Sequence, residues 1–429
     1  MLGACLMDRS PHRDGDLLMT GITGGAPPRR RLRLRRGLLA SLTGIAVLAA
    51  ACTGGSHPAS SSSPAIAAGA AAPFVYVADT KSDKISQYSA SPGTFGALQP
   101  LSPSAVPTGP FPYTVGVDPQ GTSAYALSSA GEVSQYTINP RTGKLTPKSP
   151  PTVAAGSGTA AIAFTPDGRG AYVVGNKIYQ YSINPATGSL TPKSPAAVAT
   201  PPNPEPIAVS PNGKYAYVAN CGGCGYALRK KRDTSAGPAG ADKGTGKPSF
   251  LLEYRINPKT GALSPKPVTT VLTGNGASWV AIAPNGRSAY VATSANGGSV
   301  RQYTINPVTG KLTPKNPETD IVGGSAHNIV VAPNGKNAYV IGVLSSKVSQ
   351  YRINPHSGTL SSIPASSAAT VLHPEAIAIA PNGESAYVTS ENDDMISQCT
   401  INPVTGNITP MSPATVAAPS GSLGLAVTP

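Results

Sequence analysis

Charged and aromatic residues are scarce in this chain of 429 residues. Asp, Glu, Lys and Arg together make up 12% of it, and Phe, Trp and Tyr make up 5%, with a single Trp. Gly (47) and Pro (45) are abundant instead, yet 40% of the residues are apolar. That apolar share is too high for a disordered low-complexity chain. The composition predicts an all-β fold of many short strands joined by Gly- and Pro-containing turns.

Histidine and cysteine are also rare, with five of each. The histidines do not stand at the spacing of a metal-binding helix pair, and the sequence contains no HExxH, no GxSxG and no glycine-rich phosphate loop. These absences argue against a metalloprotease, a serine hydrolase of the nucleophile-elbow type and a nucleotide-binding enzyme. We therefore expect no metal and no cofactor.

Positive charge exceeds negative charge, with 33 Lys and Arg against 19 Asp and Glu, but the excess is spread along the chain. Residues 1–51 hold eight Arg and three acidic residues, a net charge of +5. The remaining Lys and Arg mostly recur once per copy of the repeat described below. No basic stripe is interleaved with aromatic residues, so nucleic-acid binding is not expected.

The N-terminal 52 residues are typical of an export signal. The basic stretch "RRRLRLRR" precedes an apolar run from Leu38 to Ala51, which is too short to span a bilayer comfortably. The following "LAAAC" resembles a bacterial lipobox and makes Cys52 the candidate for lipidation, although Ala49 stands where Leu is usual. Cleavage by ordinary signal peptidase is the alternative. Both the general and the twin-arginine export routes stay open.

Residues 53–73 are rich in Ser, Ala, Gly and Pro and predict a flexible linker. Such a tether would hold a domain away from a lipid anchor. We therefore expect a lipoprotein on the outer face of the cell membrane, attached only through its lipid, or alternatively a freely secreted protein.

Residues 74–429 consist of one repeated motif. Its clearest copy is "WVAIAPNGRSAYVATSANGGSVRQYTINPVTGKLTPKNP", from Trp279 to Pro317. Each copy predicts four strands, "VAIAP", "SAYVAT", "VRQYTI" and the Pro-interrupted "KLTPK", separated by the turns "PNG" and "NPVTG". Units of this size and content indicate a β-propeller. A central tyrosine marks seven copies: Tyr76, Tyr125, Tyr172, Tyr217, Tyr290, Tyr339 and Tyr387.

The two ends of the repeat region predict how the ring closes. The repeats begin with a second strand, "FVYVAD" at Phe74, and stop after a first strand, "LGLAVTP" ending at Pro429. One blade would therefore combine the C-terminal inner strand with three N-terminal strands. The sequence predicts a closed seven-bladed propeller, and we expect it to be a monomer.

With this pattern the chain resembles the seven-bladed lactonase-like propellers that include bacterial 6-phosphogluconolactonase and fungal muconate-lactonizing enzymes. It also resembles the wider group of propellers with YVTN-type repeats, of which "AYVTSEN" at Ala386 is a copy. The resemblance implies hydrolysis or isomerisation of a small lactone. Because propellers serve many functions, a non-catalytic propeller that binds a surface partner protein or polymer is the alternative.

Candidate site residues lie six positions before the Pro that ends each inner strand, where the loops meet the central channel. The blades differ there, as binding loops on a fixed scaffold do. His327 is the candidate general base, with Glu205 and Glu375 as carboxylates that orient it or protonate the leaving group. The resemblance supports His327, in "AHNIVVAP", as a channel histidine. The alternative is that these three residues are solvated channel residues without a catalytic role.

Four neighbouring residues are candidates for binding a lactone or sugar-like ligand: Tyr113, Trp279, Asn328 and His373. Trp279 is equally suited to packing between blades. The enzymes that the chain resembles present an Arg–His pair at this level, whereas no Arg occurs in this layer of the sequence. That difference argues against a phosphorylated substrate.

The one long interval between tyrosines contains an insertion, residues 220–250, with the pair Cys221 and Cys224 at its start. Outside the cytoplasm a local disulfide is the favoured interpretation, with redox, free-thiol and metal roles as alternatives. The insertion joins the second and third strands of its blade and is basic. It is therefore predicted to overhang the face that carries His327, as a lid, a partner-binding arm or a solvated loop.

Overall fold

The computed structural model describes residues 72–91, 96–222, 247–294, 297–322, 324–419 and 421–429. The predicted export signal (1–52), with Cys52, and most of the predicted linker (53–73) lie outside these residues. Within the described part, the structure contains no helix with the length and apolarity needed to cross a membrane.

Twenty-eight strands form seven antiparallel sheets of four strands each, which confirms the predicted all-β propeller. Blades 1 to 3 contain β1 (Phe74–Asp79), β2 (Lys84–Ser91), β3 (Ala97–Pro107), β4 (Pro112–Val117), β5 (Ser123–Ser128), β6 (Glu132–Ile138), β7 (Leu145–Ala154), β8 (Ala161–Phe164), β9 (Gly170–Val174), β10 (Ile178–Ile183) and β11 (Leu190–Val198). Blades 4 and 5 contain β12 (Pro204–Val209), β13 (Tyr215–Asn220), β14 (Ser249–Arg255), β15 (Thr269–Gly274), β16 (Ala277–Ile282), β17 (Ser288–Thr293), β18 (Ser299–Ile305) and β19 (Leu312–Ile321). Blades 6 and 7 contain β20 (Ala326–Val331), β21 (Asn337–Gly342), β22 (Lys347–Ile353), β23 (Leu360–Ala369), β24 (Pro374–Ile379), β25 (Ser385–Ser390), β26 (Met395–Ile401) and β27 (Ile408–Ala417), and β28 (Ser422–Val427) returns to blade 1.

The ring closes through the two ends of the described chain. Strand β28 pairs antiparallel with β1, with Val427 opposite Val75 and Leu425 opposite Val77, so that blade 1 has the strand order β28-β1-β2-β3. The innermost strands contact one another in sequence around the ring, and the last contact joins β28 to β4. The C-terminal strand therefore occupies an edge that would otherwise expose unpaired backbone groups.

The seven central tyrosines link neighbouring blades and are fully buried. Each hydroxyl donates to the backbone carbonyl of the glycine in the turn between the third and fourth strands of the next blade, at 2.6–2.8 Å. The last of these bonds runs from Tyr387 in blade 7 to Gly96 in blade 1. One bond therefore repeats at all seven joints, and the turn motif has a structural role.

Several lysines of the repeat also join blades rather than forming a charged surface stripe. Lys148, Lys193 and Lys315 each donate from Nζ to a backbone carbonyl in the corresponding turn of the next blade. Partial burial lowers the pKa of each ammonium group. These three lysines therefore have a structural role in the repeat.

The insertion lies between β13 and β14, as predicted, and only its two ends are described. Cys221 is buried and takes part in a disulfide bond, and its backbone N–H donates to the carbonyl of Asn203 at 3.1 Å. Cys224 lies outside the described residues, so the pairing of the two cysteines stays a prediction. Since Asn203 immediately precedes β12, the start of the insertion lies on the face where the chain runs into the innermost strands.

Cys399 is a packing residue in the core. It occupies a tyrosine position of the repeat, is buried as a free thiol, and packs in the cluster between blades 6 and 7. Burial raises the pKa of this thiol to about 12.

Candidate active site

The chain runs into every innermost strand through one backbone conformation. The residue two positions before the predicted site layer has a positive φ, between 50° and 83°, in all seven blades. This left-handed conformation turns the loop from the outer strand of one blade into the channel. It suits Gly, and it is uncommon for other residues. The seven residues are Phe111, Gly158, Asn203, Gly276, Ser325, His373 and Gly421.

A β-bulge then follows in six of the seven innermost strands. The extra residue that interrupts the pairing is Tyr113 in β4, Ser278 in β16, His327 in β20 and Glu375 in β24. A bulge frees one residue from the ladder and bends the strand, and such bulges re-aim side chains next to active sites. The predicted site layer thus coincides with these bulges.

One pocket brings most of this layer together at the mouth of the channel. The space between its side chains is about 440 Å³, part of it open to solvent, and the part that accommodates whole water molecules is about 60 Å³. A sugar-sized ligand would therefore bind across the mouth rather than deep in the channel. The pocket is lined by Tyr113, Thr114, Ala160, Trp279, His327, Asn328, Glu375, Ala376, Ile377, Leu423, Gly424 and Leu425.

His327 and Glu375 form the pair with acid–base character in this pocket. Nε2 of His327 lies 3.4 Å from Oε2 of Glu375, across the joint between blades 6 and 7. The histidine side chain is 19% exposed and the carboxylate 8%, so water reaches the imidazole more readily than the carboxylate. A protonated His327 would form an ion pair with Glu375 across this joint.

Asn328 and Trp279 line the pocket on either side of the joint between blades 5 and 6. Asn328 is 1% exposed, and within the described part of the chain its Oδ1 has no hydrogen-bond partner. Trp279 also packs against the apolar cluster between these blades, so it contacts both the core and the pocket. Its two predicted roles are therefore compatible.

Two of the predicted residues are not among those that line the pocket. Glu205 is 4% exposed at the start of β12, and His373 lies in the loop two residues before Glu375, with a buried Nδ1 that has no partner among the described residues. Their roles stay predictions. Sequence reasoning missed Ile377 and Leu425, each two positions beyond a residue of the predicted layer, where the alternation of a strand brings side chains back to the same face.

Across the described ranges, no group of three or more His, Cys, Asp or Glu is placed to hold a metal ion. The remaining histidine of the repeat region, His356, is exposed in a turn. The site therefore offers a base, a carboxylate, an amide and aromatic surface.

Comparison with known proteins agrees with the fold. Residues 107–222 match the family model described as "Lactonase, 7-bladed beta-propeller". A search of curated proteins finds no match. The match to this family model confirms the resemblance to lactonase-like propellers that the repeats indicated.

Three solved structures are similar over most of the chain. A proposed 6-phosphogluconolactonase from Bacteroides uniformis has a TM-score of 0.65 and 18% identity, covering 83% of this chain and 99% of the other. A second proposed 6-phosphogluconolactonase, from Bacteroides fragilis, gives 0.64 and 18%, with 84% and 98% covered. The periplasmic gluconolactonase of Pseudomonas aeruginosa gives 0.63 and 16%, with 83% and 99% covered. At these identities the similarity shows the fold alone.

Proposed function

We propose that this protein is an exported lactonase that hydrolyses a small, uncharged lactone at the mouth of its propeller channel. The observation that carries the proposal is the His327–Glu375 pair, 3.4 Å apart and partly open to solvent in the pocket at the channel mouth. The match to the lactonase family model and the gluconolactonase activity named for the Pseudomonas aeruginosa protein support the substrate class.

In this proposal His327 acts as the general base. Nε2 faces Glu375, so the other ring nitrogen, Nδ1, accepts a proton from a water molecule as the water oxygen attacks the lactone carbonyl carbon. Glu375 holds the imidazole in place and stabilises the imidazolium that forms. The amide of Asn328 and the hydroxyl of Tyr113 are the candidate donors to the oxyanion. When the ring C–O bond breaks, the imidazolium returns the proton to the leaving alkoxide.

Charge argues for an uncharged substrate. The twelve described residues that line the pocket include Glu375 but no Lys or Arg. A phosphorylated sugar lactone would place its dianion near that carboxylate without a cation to bind it. We therefore propose a neutral lactone rather than 6-phosphogluconolactone.

Export and lipid anchoring complete the proposal. They rest on the basic and apolar stretches of residues 1–52 and on Cys52 within "LAAAC". The periplasmic location named for the Pseudomonas aeruginosa protein is consistent with an extracytoplasmic lactonase. Mass spectrometry of the mature N-terminus tests this part, because an unmodified end elsewhere than at Cys52 would contradict the anchor.

A lactone panel tests the activity. The purified protein would be assayed for acid release from glucono-δ-lactone, δ-valerolactone and 6-phosphogluconolactone, together with His327→Ala and Glu375→Ala. We expect hydrolysis of the neutral lactones, a loss of at least about a hundredfold in kcat/KM in either variant, and the lowest rate on the phosphorylated substrate.

The exposed His356 provides the matched control, since His356→Ala removes an imidazole far from the pocket and should leave the rate unchanged. If no lactone is hydrolysed, the alternative of a non-catalytic binding propeller replaces this proposal. If the rates persist in both site variants, the site assignment is wrong.

A further inference from the structure

Phe111 is the exception among the seven residues that lead into the innermost strands. All seven have a positive φ, but most are Gly, Asn or Ser, and His is one of the residue types enriched in this conformation. Phe111 has a φ of 50°, which is an outlier for a bulky side chain and stores strain that the surrounding structure must hold. Residues held in such conformations cluster at ligand-binding and catalytic sites.

Little packing of the Phe111 side chain offsets this strain. It is 60% exposed, two residues before Tyr113 at the mouth of the pocket. Its backbone is nevertheless fixed: the N–H donates to Oδ1 of Asp83 at 2.8 Å, and the carbonyl accepts from the N–H of Ser129 at 3.2 Å. The protein therefore presents an apolar ring to solvent on a rigid loop.

Leu372, one position earlier in the loop that leads into β24, is a second exposed apolar residue whose backbone N–H is bound by an Asp carboxylate. It is 56% exposed, its N–H donates to the Oδ2 atom of Asp393, and its carbonyl accepts from Oγ of Ser390 at 2.6 Å. A single exposed apolar residue is ordinary on a protein surface. Two that are held by the same type of contact, three or fewer residues from the pocket-lining Tyr113 and Glu375, require an explanation.

The part of the pocket wall that β28 contributes, between these two loops, is apolar. Around the ring, β28 lies between β24 and β4 and contributes Leu423 and Leu425, while β24 contributes Ile377. The polar groups His327 and Asn328 come from β20 on the other side of β24. The site thus has a polar half on β20 and an apolar half on β28, between the loops that carry Phe111 and Leu372.

We propose that Phe111 determines substrate specificity by binding an aliphatic substituent of the lactone, which lies along the apolar half of the pocket. The inference rests on the proposed lactonase function and narrows its substrate class to alkyl-substituted lactones. Phe111 acts on binding and not on proton transfer. Its removal should therefore raise KM for substituted lactones and leave kcat nearly unchanged.

The experiment compares δ-decalactone, which carries a pentyl substituent, with unsubstituted δ-valerolactone. We expect the wild-type protein to favour δ-decalactone in kcat/KM, and Phe111→Gly to reduce that preference about tenfold through KM. Because Gly adopts a positive φ freely, the same variant should unfold at an equal or higher temperature. A Phe that served only the structure would lower that temperature and leave the preference unchanged.

Three further variants separate the effect of the apolar side chain of Phe111 from the effect of its backbone conformation. Phe111→Leu keeps an apolar side chain and should retain most of the preference, whereas Phe111→Asn suits the backbone, removes the apolar surface and should lose it. Val404→Ala, at a turn residue that is 88% exposed, is the matched control and should change nothing. If Phe111→Gly and Phe111→Asn keep the wild-type preference, or lower both rates equally, the inference is wrong.

A binding measurement distinguishes the case in which this inference is wrong from the case in which the lactonase proposal is wrong. Trp279 is the sole Trp of the chain and lines the pocket, so its fluorescence reports occupancy. If the wild-type protein hydrolyses neither lactone but δ-decalactone changes the fluorescence, and Phe111→Gly abolishes the change, catalysis is refuted and the specificity role stands. If neither hydrolysis nor fluorescence depends on Phe111, the specificity role is refuted.

Discussion

The middle of the blades and the mouth of the channel differ in whether the side chains repeat from blade to blade. In the middle, a tyrosine hydroxyl makes the same bond to a glycine carbonyl at all seven joints. At the mouth, the backbone conformation repeats while the side chains differ from blade to blade. Repetition closes the ring, and variation on a repeated backbone places one imidazole, one carboxylate and one apolar side at the channel mouth.

Among changes to the repeated part, removal of the C-terminal strand should destabilise the propeller most. Deletion of residues 422–429 leaves Val75 and Val77 of β1 without their partners and opens the ring at blade 1. We expect the free energy of unfolding to fall by about 5 kcal/mol or more, comparable with the whole net stability of a domain. Urea unfolding followed by circular dichroism measures this. Removal of the exposed Pro429 alone is the control, and equal stability of the two truncated chains would contradict the predicted role of β28.

Asp79 is a buried carboxylic acid at the point where the N-terminal and C-terminal strands of the ring meet. It is buried at the end of β1, and its carboxylate accepts hydrogen bonds from Oγ of Ser86 at 2.6 Å and Oγ of Ser422 at 3.2 Å. Ser422 belongs to the C-terminal strand, so this contact joins the two ends of the ring. Burial raises the pKa of Asp79 to about 6.

The folded protein binds the Asp79 proton more tightly than the unfolded chain does. The stabilising contribution is therefore complete below about pH 4 and is lost as pH rises through about 6. The loss amounts to about 3 kcal/mol, and Asp79→Asn should abolish it and make the protein more stable than wild type at pH 8. Urea unfolding from pH 4 to pH 8 measures this.

Ser128 occupies the same position in blade 2 and provides the control for Asp79. Ser128→Ala should change stability by a similar amount at every pH, since no charge is involved. The prediction fails if wild type and Asp79→Asn show the same dependence on pH.

Loss of the tyrosine bond at one joint between blades should lower the free energy of unfolding much less than removal of the C-terminal strand. Tyr290→Phe removes the 2.7 Å bond to the carbonyl of Gly358 and leaves that acceptor without its partner, which should lower the free energy of unfolding by about 1–2 kcal/mol. Lactone hydrolysis should be unaffected. Tyr179→Phe, which loses only the exposed bond to Asn176, should change neither quantity. A large loss of activity in Tyr290→Phe would show that the two regions are coupled.

The repeated part was predictable from sequence, and the site only in part. The tyrosine spacing and the incomplete first and last repeats predicted seven blades and their closure, because turns and strand alternation recur in register. The same register placed His327 and Glu375 in one layer. It could not show that Glu205 is buried away from the pocket lining, or that Phe111 is strained, since burial and backbone conformation depend on neighbouring blades.

The central claim is that His327 and Glu375 act as one catalytic unit at the mouth of the channel. Lactone hydrolysis by His327→Ala, Glu375→Gln and the double variant tests it most directly, with unfolding midpoints measured alongside. We predict a loss of about a thousandfold for His327→Ala, a smaller loss for Glu375→Gln, no further loss in the double variant, and unchanged midpoints, because residues that act as a unit have non-additive effects. Wild-type rates in both single variants, or losses that multiply in the double variant, would contradict the account.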